Sequence, residues 1–239
     1  MKTNATLSVR RSDERGHADH GWLNSRFSFS FGDYYDPAQM GFRSLRVIND
    51  DRVAPGGGFP THGHRDMEIF SYVLEGELAH QDSMGNSRVL RPGQIQLMSA
   101  GSGVSHSEFN PSATETAHFL QIWVLPRQRG LDPRYTEWTP GAGQEHEAKV
   151  LVISADGRDG SATIAQDVDV WRVKLQPGTE ITHHAQEGRG VWFHLVRGNA
   201  ALNGIGINPG DAISSDDAGD IVIRATGQQP VEALLFDLL

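Results

Sequence analysis

The sequence has no cysteine, only three lysines and no long apolar run. Without cysteine, a disulfide framework, a thiolate metal site and a cysteine nucleophile are excluded. No segment approaches the roughly 20 apolar residues of a membrane span, and the first residues lack the apolar core of a secretion signal. We therefore expect a cytoplasmic protein that has no membrane partner.

Positive charge is also scarce. Acidic side chains outnumber basic ones by 30 to 21, and the lysines are Lys2, Lys149 and Lys174. A protein that binds nucleic acid needs clustered positive charge to displace counterions from the phosphates. The sequence shows no such cluster, so we do not expect nucleic acid as a direct partner.

A helical period is absent as well, whereas turn residues are plentiful. The 27 glycines and 11 prolines separate many short runs of β-branched and aromatic residues. That pattern is typical of an all-β sandwich or barrel with few short helices. The predicted strands are 45–48, 69–74, 77–81, 94–98 and 118–124, followed by 150–153, 171–175, 191–196, 221–224 and 231–236.

The two groups of predicted strands look like copies of one unit. The run 72–76 (YVLEG) resembles 194–198 (HLVRG), and the Pro-Gly pair at 92–93 recurs at 209–210. A duplicated β-barrel is the simplest inference. It has a first domain at 1–125, a linker at 126–147 that is rich in glycine, proline and charge, and a second domain at 148–239.

Two pairs of metal-ligating side chains stand out in the first half. His62 and His64 are two residues apart, as are His106 and Glu108. Successive side chains of a strand point to opposite faces, so the members of each pair face the same way. Two such strands side by side would offer three imidazoles and one carboxylate to a divalent first-row metal. A five- or six-coordinate metal would keep a position for substrate, so the pattern predicts open-site metal catalysis.

Other residues could complete or extend this set. Glu68 follows His64 closely and is an alternative to Glu108 as the carboxylate. His80 is a candidate for a further ligand, although a hydrogen bond to a ligand or an exposed position is the favoured interpretation. The histidines without a partner at a useful spacing are interpreted as structural or exposed: His17, His20, His118 and His146.

The second copy lacks most of this set. From the repeat offsets, the counterparts of His62, His64, His106 and Glu108 are His184, Gln186, Arg224 and Thr226. A slip of one residue would bring His183 into the place of His184. We therefore expect one metal, in the first domain, and a degenerate second domain.

Several runs resemble the pirin family of the cupin superfamily. They are 34–37 (YYDP), 45–51 (LRVINDD), 61–69 (THGHRDMEI), 72–76 (YVLEG), 80–86 (HQDSMGN) and 99–108 (SAGSGVSHSE). The resemblance spans nearly the whole first half, and the second half resembles the degenerate second cupin of the family. The chain departs from the family pattern at Gly63, where proline is usual, and at Phe27, where many members have histidine.

The resemblance implies a bicupin, an all-β protein of two jelly-roll-type β-barrels in tandem. It implies one iron(II) ion bound by His62, His64, His106 and Glu108, and in that pattern Glu68 is not a ligand. Manganese, nickel, copper, cobalt and zinc are alternative metals, because imidazole and carboxylate accept several ions. Bacterial members resemble quercetin 2,3-dioxygenases, which implies a small aromatic substrate such as the flavonol quercetin, together with O2.

The resemblance also implies two contrasting functions. In a dioxygenase, Glu108 is the natural base for the 3-hydroxyl proton of a flavonol and is therefore the predicted catalytic residue. The alternative is a non-enzymatic, metal-dependent regulatory or redox-sensing binding protein, and eukaryotic pirins resemble iron-dependent transcriptional cofactors. Such a protein would need a docking patch for its partner, and this acidic, lysine-poor sequence does not show one clearly.

Overall fold

The computed structural model describes residues 6–239 and is built almost entirely of β-strands. The chain forms two compact units. The first contains Gly16–Pro140 and Ala162–Gln166, and the second contains Gly141–Ser161 and Asp167–Leu239 together with residues 6–15.

Twenty-two strands and three short 3-10 helices make up the regular structure of residues 6–239. The strands are β1 (Ser8–Arg10), β2 (Gly16–Asp19), β3 (Leu23–Phe27), β4 (Leu45–Val53), β5 (Gly58–His64), β6 (Glu68–Glu75), β7 (Leu78–Asp82), β8 (Ser87–Leu90), β9 (Ile95–Ser99), β10 (Val104–Phe109), β11 (Ala117–Val124), β12 (Arg134–Trp138), β13 (Lys149–Ser154), β14 (Ala162–Thr163), β15 (Val168–Leu175), β16 (Glu180–Ala185), β17 (Gly190–Arg197), β18 (Ala200–Leu202), β19 (Ile205–Ile207), β20 (Ala212–Ser215), β21 (Gly219–Ala225) and β22 (Val231–Leu238). The 3-10 helices are Ser12–Glu14, Gln144–His146 and Arg158–Gly160. The predicted all-β fold with few short helices is therefore confirmed.

The first unit consists of two antiparallel sheets. One has the strand order β12-β9-β6-β11-β4-β3-β2, and the other has the order β5-β10-β7-β8. Strands β6 and β11 are buried along almost their whole length, in agreement with their largely apolar sequences. The two sheets contribute to one apolar cluster, formed by Leu23, Val53, Val73, Leu78, Leu90, Ala117 and Phe119.

The second unit repeats this arrangement. One sheet has the order β1-β20-β17-β22-β15-β13, and the other has the order β16-β21-β18-β19. Both sheets contribute to a core that includes Phe193, Leu202, Ile223 and Leu235. The four-stranded sheets of the two units thus have corresponding strand orders, in agreement with the internal repeat in the sequence.

All ten strands predicted from the sequence overlap observed strands, but two segments differ from the predicted organisation. Ser8–Arg10 pairs with β20, so a strand from the predicted first domain belongs to the sheet of the second unit. Arg134–Trp138, inside the predicted linker, pairs with β9 and buries Trp138. The glycines and prolines on both sides of this short strand are typical of a loop, so the sequence pattern predicts a linker there. Among residues 6–239, no helix has the length and apolar character needed to cross a membrane.

Candidate metal centre

The two predicted ligand pairs lie on neighbouring strands, β5 and β10, of the four-stranded sheet in the first unit. Their register places His62 directly opposite His106. The pairing is irregular between His106 and Glu108, because Glu108 lies opposite Phe59. Such a bulge re-aims the side chains of an edge strand, and an edge strand also accommodates a proline such as Pro60. The spacing of two residues has therefore brought both pairs to one place.

Two glycines allow the backbone to approach closely at this place. A Cβ atom at Gly58 would lie 2.3 Å from the backbone oxygen of Glu108, so a side chain there would separate β5 from β10. Gly101 has a φ of +46°, and a Cβ atom there would lie 2.0 Å from the backbone oxygen of Leu131. Because side-chain-bearing residues rarely adopt this left-handed conformation, Gly101 is required in the turn that leads into β10.

The imidazoles of His62, His64 and His106 form a tight cluster. Their ring centroids are between 4.6 and 5.0 Å apart. One ring nitrogen from each lies within 4.8 Å of a ring nitrogen of the others, and the Nε2 atoms of His64 and His106 are 3.1 Å apart. His106 is buried, His64 is half-buried and His62 is exposed. The cluster is therefore open to solvent on the His62 side.

Hydrogen bonds determine which ring nitrogen is protonated in His62, in His106 and in its neighbour His80. His62 Nδ1 donates to the carbonyl oxygen of Pro60 at 2.8 Å, so its Nε2 keeps a lone pair. His80 Nε2 donates to Asp82 at 3.2 Å, which makes His80 Nδ1 an acceptor. That atom lies 3.4 Å from His106 Nδ1, which donates to it. Nε2 of His106 is consequently unprotonated, as a metal ligand must be.

Asp82 is fixed by the turn that follows β7. Its carboxylate accepts hydrogen bonds from the backbone of Met84 at 2.9 Å and from the backbone and side chain of Asn86 at 3.0 and 2.8 Å. Burial acts to raise the pKa of Asp82, but hydrogen bonds from Asn86, His80 and Met84 outweigh burial and hold the pKa below its usual value. An ionised Asp82 therefore orients His80.

His64 and His106 are neutral at physiological pH. Burial, followed by repulsion from His106 and His62, lowers the pKa of His64 to about 4. Burial, followed by repulsion from His62 and His80, lowers the pKa of His106 to about 3. Neutral imidazole is the form that binds a metal ion. The cluster therefore needs no deprotonation of His64 or His106 to accept a cation at neutral pH.

Glu108 is held by three hydrogen-bond donors from the larger sheet. Its Oε1 accepts from Gln96 Nε2 at 2.6 Å and from Ser71 Oγ at 2.9 Å, and its Oε2 accepts from Gln121 Nε2 at 2.6 Å. In the register of the sheet, Gln121 lies opposite Ser71, which lies opposite Gln96. All four residues are buried. This row of donors fixes the position of the carboxylate.

All four predicted ligands line one cavity of about 560 Å³. The ligand atoms fall into two overlapping groups: His62, His64 and His106 form one, and His80, His106 and Glu108 form the other. Within each group the ligand atoms lie within 4.8 Å of one another. His106 belongs to both groups and connects Glu108 to the other two histidines. The complete set of four ligands stays a prediction.

The alternative carboxylate, Glu68, has other contacts. It accepts hydrogen bonds from Ser99 Oγ at 2.6 Å and from the backbone N–H of Ala165 at 3.1 Å. Burial raises the pKa of Glu68, more than these hydrogen bonds lower it. Among residues 6–239, Glu68 belongs to neither candidate metal group.

The histidines that lack a partner at strand spacing have different surroundings. His118 is buried and lies 2.7 Å from Asp50, which fits a structural role. His146 is exposed. His17 and His20 are also exposed, and they line the cavity. Neither has a partner at strand spacing, so the sequence carried no sign of this placement.

The cavity wall also contains residues that no sequence pattern indicates. Asp51 lines the cavity and accepts a hydrogen bond from Ser25. Burial raises the pKa of Asp51 to about 7, although the hydrogen bond from Ser25 acts in the opposite direction. The aromatic part of the wall consists of Trp22, Phe27, Phe31, Tyr34, Phe59 and Trp123.

The donor atoms at the centre fit a divalent transition metal. Three imidazoles with an adjacent carboxylate suit first-row divalent ions, whereas magnesium and calcium prefer oxygen ligands. The unprotonated Nε2 of His106, only 3.1 Å from Nε2 of His64, is a ligand atom that a shared cation would satisfy. An ion bound by these histidines would face the cavity, because all three line it.

The fold and the centre together define a class of protein, an all-β bicupin with a histidine-rich centre in its first unit. Comparison with known families agrees with this class. Residues 8–124 match the family model described as Pirin, and residues 151–238 match the model described as Quercetinase C-terminal cupin domain.

The chain belongs to the pirin family. It is 47% identical over 232 residues to quercetin 2,3-dioxygenase of Escherichia coli (strain K12), covering 97% of this chain and 98% of that protein. It is 37% identical over 226 residues to the Pirin-like protein of Caulobacter vibrioides, covering 94% of this chain and 96% of that protein. The crystal structure of the bacterial pirin YhhW from Escherichia coli in complex with nickel(II) has a TM-score of 0.92 and 45% identity, covering 98% of this chain and 99% of that chain.

Proposed function

We propose that this protein is a metal-dependent dioxygenase that cleaves flavonols such as quercetin with O2. The observation that carries the proposal is that His62, His64, His106 and Glu108 line one cavity with aromatic walls. The relative from Escherichia coli, which is named quercetin 2,3-dioxygenase, supports the same reaction for this chain.

The proposed metal ligands are His62, His64, His106 and Glu108, and iron(II) is the proposed ion. Nickel is an alternative with a precedent in the nickel(II) complex of YhhW, and manganese, copper, cobalt and zinc suit the same ligand types. A bound divalent ion would supply a Lewis acid that lowers the pKa of the 3-hydroxyl group of a flavonol.

The cavity suits a flat, aromatic substrate. Its volume of about 560 Å³ lies within the range of roughly 300 to 1,000 Å³ that is usual for small-molecule sites. Phe27 and Phe31 pack with centroids 5.6 Å apart, and Phe31 meets the edge of Trp123 at 5.4 Å. These rings provide apolar faces and exclude water, while Asn49 and Asp51 offer polar contacts for phenolic hydroxyls.

Glu108 is the proposed base that accepts the proton of the 3-hydroxyl. Its carboxylate is already fixed by Ser71, Gln96 and Gln121, so it needs little rearrangement when the proton arrives. In the overall reaction, both atoms of O2 enter the opened product and one ring carbon leaves as carbon monoxide. The side chains named here bind and orient the flavonol and hold its proton.

The test is oxygen uptake and carbon monoxide release with quercetin, measured on protein loaded with each metal separately. Glu108→Gln should lower turnover by about 10²-fold to 10⁴-fold, because glutamine has the same shape but cannot accept the proton. Glu68→Gln is the matched control, since Glu68 is equally buried and hydrogen-bonded outside the cavity. Wild-type turnover in Glu108→Gln would refute the role of Glu108. A metal-loaded protein that turns over no flavonol would refute the enzyme and favour the regulatory function.

A further inference from the structure

We propose that Lys149 is a nucleophilic lysine that condenses with small aldehydes, with His183 as its base and Asp237 as the residue that orients His183. All three residues lie in the second unit. The proposed flavonol reaction uses none of them. This inference therefore stands whether or not the protein cleaves flavonols.

The three side chains form a continuous chain of hydrogen bonds. Lys149 Nζ lies 2.9 Å from His183 Nδ1, and His183 Nε2 lies 2.9 Å from Asp237 Oδ2. An ionised carboxylate only accepts, so Nε2 of His183 carries the hydrogen and Nδ1 presents its lone pair to the amine. A nucleophile that is bonded to a base, which is itself oriented by a third group, is the arrangement that activates weak nucleophiles.

Arg189 keeps Asp237 in its ionised, correctly placed form. Its Nε donates to Asp237 Oδ1, its Nη2 donates to the backbone oxygen of Asp237 at 2.7 Å, and its Nη1 donates to Asp167 at 2.9 Å. Burial acts to raise the pKa of Asp237, but hydrogen bonds from His183 and Arg189 outweigh it and hold the pKa below its usual value. Asp237 can therefore stabilise the imidazolium that forms when His183 takes up a proton.

Opposing influences act on the amine of Lys149. The ring centroid of Trp171 lies 4.3 Å from Nζ and favours the ammonium form, as do the carboxylates of Asp237 and Asp169. Burial is the largest influence and lowers the pKa of Lys149 below its usual value. The side chain is half-buried, so part of it is open to solvent. Lys149 thus combines a bonded base, a lowered pKa and partial exposure.

The reaction is imine formation and needs no oxidant or reductant. The lone pair of neutral Nζ forms a bond to the aldehyde carbon, and the carbonyl π electrons move to oxygen. His183 takes the proton released from nitrogen and delivers it to that oxygen. The second hydrogen of the nitrogen is also transferred to the oxygen. The carbon–oxygen bond then breaks, and the oxygen leaves as water with both hydrogens. The products are one imine on Lys149 and one water molecule.

The experiment is reductive trapping of benzaldehyde on the full-length protein with sodium cyanoborohydride, followed by peptide mapping by mass spectrometry. Lys174 is the internal control, because it is a part-exposed lysine of the same unit, 3.8 Å from Glu232 and without a bonded histidine. At pH 7, Lys149 should be trapped at least about tenfold faster than Lys174. The rate at Lys149 should also level off at a lower pH than the rate at Lys174, and removal of metal should not change it.

Two substitutions separate activation by the base from simple placement. His183→Gln keeps an acceptor beside the amine but cannot take up its proton, so trapping at Lys149 should fall by about a hundredfold. His184→Gln is the matched control, because His184 is an exposed neighbour that bonds Asp220 instead. The proposal is wrong if wild-type Lys149 is trapped no faster than Lys174, or if folded His183→Gln keeps the wild-type rate. Should His183→Gln fail to fold, the wild-type comparison and its pH profile decide the question.

Discussion

The two units have corresponding strand orders, yet among residues 6–239 only the four-stranded sheet of the first unit carries a cluster of candidate metal ligands that lines a cavity. The Pro-Gly turns at 92–93 and 209–210 set the correspondence between β10 and β21. By this correspondence, His106 and Glu108 on β10 match Ile223 and Ala225 on β21, which pack in the apolar core. The same framework therefore supports either a polar cavity or a closed core.

In the described part of the chain, the second unit lacks both the carboxylate of Glu108 and the row of donors that surrounds it in the first unit. Across the larger sheet of the first unit, Gln121, Ser71 and Gln96 lie side by side. In the second unit the corresponding row is Leu235, Phe193 and Ile213, also in register. A buried donor without its acceptor costs about 1 to 3 kcal/mol. This cost explains why the carboxylate and its donors are either all present or all replaced by apolar residues.

The counterparts that the sequence offsets assign in the second unit lie on the wrong face of their strands. Arg224, predicted to match His106, is exposed and bonds Glu180 outside the core. His183, rather than His184, is the buried histidine of β16. The Ala-Gly pairs at 100–101 and 218–219 give an offset of 118 residues, whereas the Pro-Gly turns at 92–93 and 209–210 give 117. A slip of one residue moves every side chain to the other face of the strand. This buried histidine of β16 bonds Lys149 and Asp237 instead of facing other imidazoles.

The largest expected difference between the units is metal content. His106→Ala should abolish metal binding, because His106 is shared by both candidate groups. His183→Gln, in the second unit, should leave metal content unchanged. Elemental analysis after purification in metal-supplemented medium measures both. Metal loss in His183→Gln, or full occupancy in His106→Ala, would contradict the assignment of the centre to the first unit.

The reverse difference is expected for stability. Ile223 is fully buried in the second core, so Ile223→Ala should lower the free energy of unfolding by about 2 to 5 kcal/mol. His106→Ala should cost much less in metal-free protein, because it removes a desolvated imidazole whose pKa burial has lowered. Thermal unfolding of both metal-free variants provides the comparison. Equal losses would show that the histidine cluster is also a structural core.

Strand positions and the placement of both ligand pairs could be predicted from the sequence, because alternation and a spacing of two residues are local features. The donors to Glu108 could not. Ser71, Gln96 and Gln121 are polar residues within three largely apolar strands, and only the register shows that they are neighbours. A signal was present, since a lone polar residue inside a buried strand needs a partner. Which residue that partner is depends on contacts far apart in the chain.

A smaller effect is expected from the hydrogen-bond chain behind His106. His80→Ala removes the acceptor of His106 Nδ1, so metal affinity should fall by about tenfold to a hundredfold while metal still binds. His118→Ala is the control, because His118 is a buried histidine of the same unit that bonds Asp50. Competition with a chelator gives both affinities. A complete loss of metal in His80→Ala would instead indicate that His80 is itself a ligand.

The smallest expected effect concerns Asp51, whose counterpart in the second core is the apolar Val173. Burial raises the pKa of Asp51 from 3.8 to about 7 in the folded protein. Between these values the unfolded chain has lost a proton that the folded protein keeps, so the contribution of Asp51 to stability falls as pH rises from about 4 to about 7 and stays low above that. Asp51→Asn keeps an acceptor for Ser25 but cannot ionise. It should therefore match wild type in melting temperature near pH 4 and exceed it by several degrees at pH 8, whereas the exposed Glu145→Gln should match wild type at both. An Asp51→Asn advantage that is equal at both pH values would mean that the carboxyl does not titrate in this range.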